Sequence, residues 1–93
     1  MGSYVYLIQC EKYHKIGIAY RLDQRLRGLQ TGNPFKLDLK ASVLVDDARA
    51  LETQLHQNYS LNRTQGEWFE LTDNDVQGII KMMLDQGGVV HAR

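Results

Sequence analysis

The chain has little of what several common protein classes need. It contains one cysteine, Cys10, among 93 residues. A single thiol cannot form a disulfide within its own chain, so packing must hold the fold, and an intracellular setting suits it best. No apolar run approaches the ~20 residues of a membrane-spanning helix, and the first residues lack the basic and apolar segments of a signal peptide. We therefore expect a cytoplasmic protein, in which Cys10 is buried or weakly functional.

The length and composition indicate one globular domain. A chain of 93 residues leaves little room for a second domain and buries only a modest core. Hydrophobic residues make up 43% and charged residues 24% of the chain, which is ordinary for a globular protein and argues against disorder. There is no internal repeat or linker. We predict a single domain over residues 4–86 and a short C-terminal tail over residues 87–93.

The net charge of zero conceals an uneven distribution of charged side chains. Residues 1–40 carry seven basic and three acidic side chains, whereas residues 41–93 carry four basic and eight acidic ones. A polyanion could contact the first part and a metal ion the second. A well-solvated surface explains the same split equally well, so charge alone does not choose between these interpretations.

Hydrophobic periodicity predicts an α+β fold, in which a small antiparallel sheet packs with about three helices. Residues 4–9 alternate as a strand, with Tyr4 and Tyr6 on the same face. Residues 15–19 form a second strand after a short polar interruption, which is typical of an antiparallel hairpin. Residues 37–45 predict a third strand, because apolar side chains occupy every second position and so share one face.

Three segments have the apolar spacing of helices. The first covers residues 21–30 and stops before Pro34, which cannot continue a helix. The second begins near residues 46–47, where either aspartate is a plausible N-cap. The third follows an N-cap at Thr72 or Asp73 and is expected to bury five residues: Val76, Ile79, Ile80, Met83 and Leu84.

Two short regions lie between the second and third predicted helices. We interpret residues 60–66 as a polar loop and residues 67–71 as a short strand or extended segment.

Glu52 lies beside the apolar stripe of the second helix, only roughly 55° from its centre. A carboxylate so placed is partly desolvated, and it needs a cation, a hydrogen-bond donor, a metal ion or a proton. His56 follows one turn later on the same side, and a Glu-x-x-x-His pair can bind a divalent ion. An ion pair with an arginine for Glu52 and a local hydrogen bond for His56 are the ordinary alternatives.

Arg25 flanks the apolar stripe of the first helix, whereas Arg27 points away from it. Arg25 can therefore stand at the edge of a cleft, where its planar guanidinium suits a phosphate through two parallel hydrogen bonds. A surface salt bridge with Asp23 or Glu52 is the alternative.

Tyr6 and Lys15 lie on neighbouring strands of the predicted hairpin. A phenol has a pKa of ~10 and is a poor base at neutral pH, but a nearby ammonium group favours the phenolate and lowers that pKa. The pair could therefore accept a proton from water, although cross-strand packing under a snorkelling lysine explains it too. Gly17 allows a ligand or another backbone to approach closely, and a bulge is the alternative.

The order of these residues resembles the GIY-YIG endonuclease superfamily, especially short phage and bacterial members with KIG in place of YIG. The resemblance runs from residue 4 to about residue 71. The segments that carry it are YVY at residues 4–6, KIG at 15–17, RLRGLQTGNP at 25–34, LETQLH at 51–56 and GEWFEL at 66–71.

The resemblance implies an endonuclease that hydrolyses DNA phosphodiester bonds with one Mg²⁺ or Mn²⁺ ion. Tyr6 would activate the water with help from Lys15, Arg25 would steady the phosphate, and Glu52 would hold the ion. Magnesium tolerates a single protein carboxylate, because it keeps waters and takes substrate oxygens as further ligands. We predict additional substrate contacts from Tyr4, Gly17, Arg21, Arg27 and His56.

The chain departs from the superfamily pattern at three points. Lys15 replaces the YIG tyrosine, Leu29 stands where many members have a histidine, and the late asparagine has two candidates, Asn58 and Asn62. A DNA-binding module of the same fold with weak or lost catalysis is therefore the main alternative. An interaction domain anchored by residues 68–69 is a third interpretation. In so small a chain, we expect sequence specificity to be low or to come from a homodimer or partner protein.

Overall fold

The computed structural model describes residues 2–91 of the chain. Over this range, strands and helices follow the order β1, β2, α1, β3, α2, β4, β5, α3 and β6, with one turn of 3-10 helix before β4. The strands are β1 (Ser3–Cys10), β2 (Tyr13–Ala19), β3 (Asp38–Val45), β4 (Arg63–Gln65), β5 (Trp68–Glu70) and β6 (Val89–Val90). The helices are α1 (Leu22–Gln30), α2 (Ala48–Asn58) and α3 (Asp73–Asp85).

The strands form one antiparallel sheet in the order β4-β5-β2-β1-β3-β6. At its centre lies the β1–β2 hairpin, whose turn places Glu11 at a positive φ of 56°. The predicted α+β class, with a small antiparallel sheet and three helices, is confirmed.

The sheet separates two apolar clusters, as the alternation along β1 predicts. Val5 and Leu7 belong to the larger cluster, which includes the buried side chains of α2 and α3. Tyr6 and Ile8 belong to the smaller one, against which the leucines of α1 pack. Helix α1 therefore covers one face of the sheet, and α2 and α3 cover the other.

A bulge in β3 divides that strand between the two faces. Leu7 pairs with Ala41 but Ile8 pairs with Leu39, which leaves Lys40 as an extra residue. Leu39 consequently packs under α1, while Ala41 and Val43 join the larger cluster. Strict alternation over residues 37–45 predicted one shared face, and that expectation is wrong because one inserted residue reverses the side-chain direction.

Side-chain caps set the starts of α2 and α3. Asp47, one of the two predicted caps, accepts a 3.1 Å hydrogen bond from the Ala50 backbone N–H. Thr72 caps α3 and exchanges hydrogen bonds with Asp75 in a capping box. The inward orientation predicted for Leu84 is wrong, because Leu84 is 47% exposed and lies one 100° step past the buried Met83.

The structure adds two short strands to the predicted set. Part of the expected loop at residues 60–66 forms β4, which pairs with β5. Part of the expected tail forms β6, in which Val89 and Val90 pair with Ser42 and Ala41. Residues 92–93 of that tail lie outside the described range. No helix within residues 2–91 is long and apolar enough to cross a membrane.

Candidate active site

The candidate site lies at the edge of β2, where β5 stops pairing with it. The β5 ladder covers residues 13–15 of β2 and extends by one further bond, from the Ile16 N–H to the Glu67 carbonyl at 3.2 Å. Beyond that point, side chains instead of a neighbouring strand form hydrogen bonds with the β2 backbone. His56 Nε2 donates to the Ile16 carbonyl at 2.9 Å, and Arg25 Nη1 donates to the Ile18 carbonyl at 3.1 Å. Helices from opposite faces of the sheet thus satisfy backbone groups of the same strand edge.

Gly17 makes room for the Tyr6 phenol at this edge. The two residues are direct partners across the hairpin. A Cβ atom on Gly17 would lie 2.5 Å from Tyr6 Oη, 2.7 Å from Tyr6 Cζ and 3.0 Å from Glu67 Oε1. Two side chains, the phenol and the Glu67 carboxylate, therefore occupy the space in which a ligand or another backbone was expected. The register of the hairpin is regular at this point, so a bulge does not explain the glycine.

The Tyr6 hydroxyl is buried, and within residues 2–91 no group is aligned to form a hydrogen bond with it, although the Arg25 guanidinium lies within reach. Burial raises the pKa of Tyr6 above its ordinary 10.0, and the nearby Arg25 guanidinium lowers it in part. The Glu67 and Glu52 carboxylates raise the pKa further, because negative charge disfavours the phenolate. Arg25 of α1 and Glu52 of α2 are therefore each close enough to Tyr6 of β1 to shift its pKa.

Lys15 pairs with a carboxylate in the structure, and its help to Tyr6 stays a prediction. Its Nζ forms an ion pair with Glu67 Oε1 at 3.2 Å and lies 5.5 Å from the centre of the Trp68 ring. The expectation of a lowered Tyr6 pKa is wrong: burial raises that pKa, and the cation that partly opposes the rise is Arg25. The register explains this result: Lys15 pairs across the hairpin with Ile8, two residues from the Gly17–Tyr6 pair.

Glu67 lies at the candidate site, although its sequence position did not predict this. Its carboxyl is within hydrogen-bonding reach of Glu52. Burial and this neighbour raise the pKa of Glu52 above its ordinary 4.5, whereas His56 and Arg49 lower it. The segment at residues 66–71 is part of the resemblance, but nothing local marks its glutamate. Only the pairing of β5 with β2 brings Glu67 to the site.

The carboxylates of Glu52 and Glu67 are oxygen donors of the kind that fits a hard divalent cation. Among the described residues, no group of three or more His, Cys, Asp or Glu side chains is arranged to hold a metal ion. His56 uses Nε2 for its bond to Ile16. Two facing carboxylates do not suit zinc, which takes nitrogen and sulfur ligands in closed sites. They fit Mg²⁺ or Mn²⁺, which binds one or two carboxylates and keeps waters or phosphate oxygens.

The residues predicted to contact substrate lie on different surfaces of the molecule. Arg21 and Arg25 line the same surface groove of about 540 Å³ along α1. Arg27 lies on the exposed side of α1, where it forms a 3.7 Å ion pair with Asp23. Tyr4 lines a separate groove next to Arg21. Tyr4 and Arg27 are therefore not joined to the Tyr6 cluster, and their contacts with substrate stay predictions.

The aromatic residues proposed as an interaction anchor have other positions. Phe69 is fully buried in the core, where its ring meets His56 edge-on at 5.0 Å. Trp68 is half-buried beneath Lys15. The Asn62 side chain donates to the Glu70 carbonyl at 3.2 Å, which gives that residue a structural contact in the β4–β5 hairpin.

A protein-family model described as the T5orf172 domain matches residues 3–84. No curated protein and no solved structure matches the chain. The matched range includes β1, β2, α1 and α2, together with Glu67, so it covers the whole candidate site.

Proposed function

The chain belongs to the T5orf172 domain family of nuclease-type domains, and from this premise we propose that it is a DNA endonuclease of the GIY-YIG type. It would hydrolyse phosphodiester bonds with one divalent metal ion. The observation that carries the proposal is the convergence of Tyr6, Arg25 and Glu52 at one strand edge. These are the residue types that such a hydrolysis needs: a proton acceptor, a phosphate ligand and a metal ligand.

Arg25 is suited to hold the phosphate. Its bond to the Ile18 carbonyl fixes the guanidinium at the strand edge and uses one of five N–H donors. Further N–H donors of the guanidinium can bind phosphate oxygens in a charge-assisted fork. Because the side chain is already anchored, little conformational freedom is lost when substrate binds.

Glu52 is the residue that would hold Mg²⁺ or Mn²⁺ in this site. When bound, the ion supplies positive charge that polarises the phosphoryl oxygen and offsets charge on the leaving group. Tyr6 holds its proton in the metal-free protein, because burial and two carboxylates raise its pKa. Positive charge next to Glu52 would oppose that effect and favour the phenolate as an acceptor for the proton of the attacking water.

A DNA-binding module with weak or lost catalysis is the second candidate. The observation that favours it is the ion pair of Lys15 with Glu67, which leaves Tyr6 without its expected activator. In this case the Arg21–Arg25 groove would bind phosphates, and affinity would fall steeply with salt because bound counterions are released.

The deciding experiment is supercoiled plasmid cleavage in Mg²⁺ or Mn²⁺ by wild type and three variants. We expect Glu52→Ala and Arg25→Ala to lower the rate on the order of 10²-fold or more, with unchanged circular dichroism spectra. Glu70→Ala is the matched control, because Glu70 is exposed and pairs with Lys12 away from the site. Equal cleavage by Glu52→Ala and wild type would reject the endonuclease. Salt-sensitive DNA binding without cleavage would select the second candidate.

A further inference from the structure

We propose that Glu67 is a second carboxylate ligand of the divalent-ion site, acting together with Glu52. The proposal rests on the proposed function and deepens it by adding a ligand from a second region of the chain. Glu52 comes from α2, whereas Glu67 immediately precedes β5.

Backbone and side-chain contacts hold the Glu67 carboxylate in place. The Glu67 carbonyl accepts a hydrogen bond from the Ile16 N–H at 3.2 Å, which extends the β5–β2 ladder by one residue. Glu67 Oε1 meets Lys15 Nζ at 3.2 Å and lies directly over the space left by Gly17. Gly66, at a φ of 58°, turns the chain immediately before it. A ligand therefore meets a carboxylate whose position is set by the sheet.

The ion pair with Lys15 leaves the Glu67 carboxylate with binding capacity. A carboxylate has about four lone-pair positions on two oxygens, and the ammonium occupies one of them. The Glu67 side chain is 37% exposed, so solvent or an ion can reach it. Lys15 offsets one of the two negative charges carried by Glu52 and Glu67. A cation between the facing carboxylates would offset the other.

The Tyr6 hydroxyl independently indicates a ligand in this space. It is completely buried, and within residues 2–91 no group is aligned to form a hydrogen bond with it, although the Arg25 guanidinium lies within reach. It points at the Gly17 backbone, next to Glu67 Oε1. Buried hydroxyl groups in native proteins are almost always hydrogen-bonded. An unpartnered hydroxyl beside two carboxylates marks a place where a ligand completes the site.

The same arrangement explains the lysine in the KIG segment. Lys15 is a positioning residue, since its ammonium fixes the Glu67 carboxylate beside Gly17 and Tyr6. A tyrosine at residue 15 could donate a hydrogen bond to Glu67 but could not offset its charge. Lysine thus keeps two carboxylates close together in the metal-free protein.

Calorimetric titration of the full chain with Mn²⁺, without DNA, tests the proposal. We expect wild type to bind Mn²⁺, and Glu52→Gln and Glu67→Gln each to weaken binding on the order of 10-fold or more. Glu67→Asp keeps the charge and should recover part of the lost affinity. Glu70→Gln, which removes an exposed carboxylate from the same segment, should bind as wild type does. The rise in melting temperature caused by Mn²⁺ provides a second reading on the same variants.

Two results would overturn the assignment: wild type that binds no Mn²⁺, or folded Glu67→Gln with wild-type affinity. If wild type cleaves DNA while Glu67→Gln retains wild-type Mn²⁺ affinity, the endonuclease stands and the second ligand falls. If both glutamates support Mn²⁺ binding but no DNA is cleaved, the second ligand stands and the endonuclease falls.

Discussion

Tyr6 and Gly17 face each other across the β1–β2 hairpin, and each explains the other's identity. A phenol fits at the strand edge only because its partner has no side chain. The buried hydroxyl then lacks a hydrogen bond, which is unfavourable for stability. At the residue scale the pair is therefore unfavourable for stability, and we expect it to serve the proposed chemistry.

Tyr6→Phe tests that conclusion. Removal of the orphaned hydroxyl should leave the free energy of unfolding unchanged or raise it by up to about 1–3 kcal/mol, whereas plasmid cleavage should be lost. Urea unfolding and the plasmid assay measure the two effects. Tyr13→Phe, at a 36% exposed tyrosine of the same hairpin, should change neither quantity. Destabilisation by Tyr6→Phe would show that the hydroxyl has a structural partner.

Gly17→Ala should displace the phenol, because the added Cβ would stand 2.5 Å from Tyr6 Oη. We expect a loss of about 1–3 kcal/mol in stability from overpacking, together with loss of cleavage. Gly28→Ala is the matched substitution, since nothing lies within 4 Å of its added Cβ. It should stabilise α1 by up to about 1 kcal/mol through helix propensity. Equal effects of the two substitutions would contradict the close contact at Gly17.

Glu52→Gln should stabilise the metal-free protein at pH 7 but not at pH 4. The raised pKa of Glu52 means that the folded state binds the proton more tightly than the unfolded state does. Wild type therefore loses stability as pH rises from about 4.5 through the folded-state pKa. Glutamine does not titrate and avoids this loss. Urea unfolding in a metal chelator checks the prediction, and a benefit of equal size at both pH values would refute it.

At the element scale, side chains complete the hydrogen bonding of β2 where β5 no longer pairs with it. Strand β5 pairs with residues 13–15, and beyond them His56 and Arg25 bind the carbonyls of Ile16 and Ile18. These bonds tie α2 and α1 to the same strand from opposite faces of the sheet. The candidate site residues Glu52 and Arg25 are consequently placed by the attachment of their helices, and not by flexible loops.

His56→Ala should loosen the attachment of α2. The Ile16 carbonyl would lose its hydrogen bond, and the ring contact with Phe69 would be lost too. We expect a loss of about 1–3 kcal/mol in the free energy of unfolding, measured by urea denaturation. Gln57→Ala, at the exposed next position of α2, is the control and should have little effect. If His56 instead serves substrate alone, stability would be retained and only DNA affinity would fall.

At the scale of the whole molecule, the groove lined by Arg21 and Arg25 and the helix α3 lie towards different ends of the sheet. Arg21 and Arg25 line a groove beside β2. Helix α3 contacts β3 and β6, which are towards the opposite end of the strand order. DNA held by the groove would therefore approach the strand edge that carries the candidate site.

Salt titration of DNA binding tests this direction of approach. Arg21→Ala should reduce the slope of log affinity against log salt by about one, because one phosphate contact is lost. Lys81→Ala removes an equal charge from α3 and should leave the slope unchanged. Fluorescence anisotropy with a labelled duplex over a range of salt concentrations measures both. A larger effect at Lys81 would place DNA on the other side of the molecule.

Local sequence determined most of the elements. The hairpin, α1 and the caps at Asp47 and Thr72 follow from apolar spacing and short-range hydrogen bonds, which act within a few residues. The order of residues likewise led to Tyr6, Arg25 and Glu52, which the structure brings together.

Tertiary structure alone decided the bulge at Lys40, the partner of Lys15 and the place of Glu67. Each depends on the register between strands that are distant along the chain, and a shift of one residue reverses every side chain that follows. Spacing within a single segment contains no information about that register. The Glu67 carboxylate was therefore found next to Glu52 only once β5 lay beside β2.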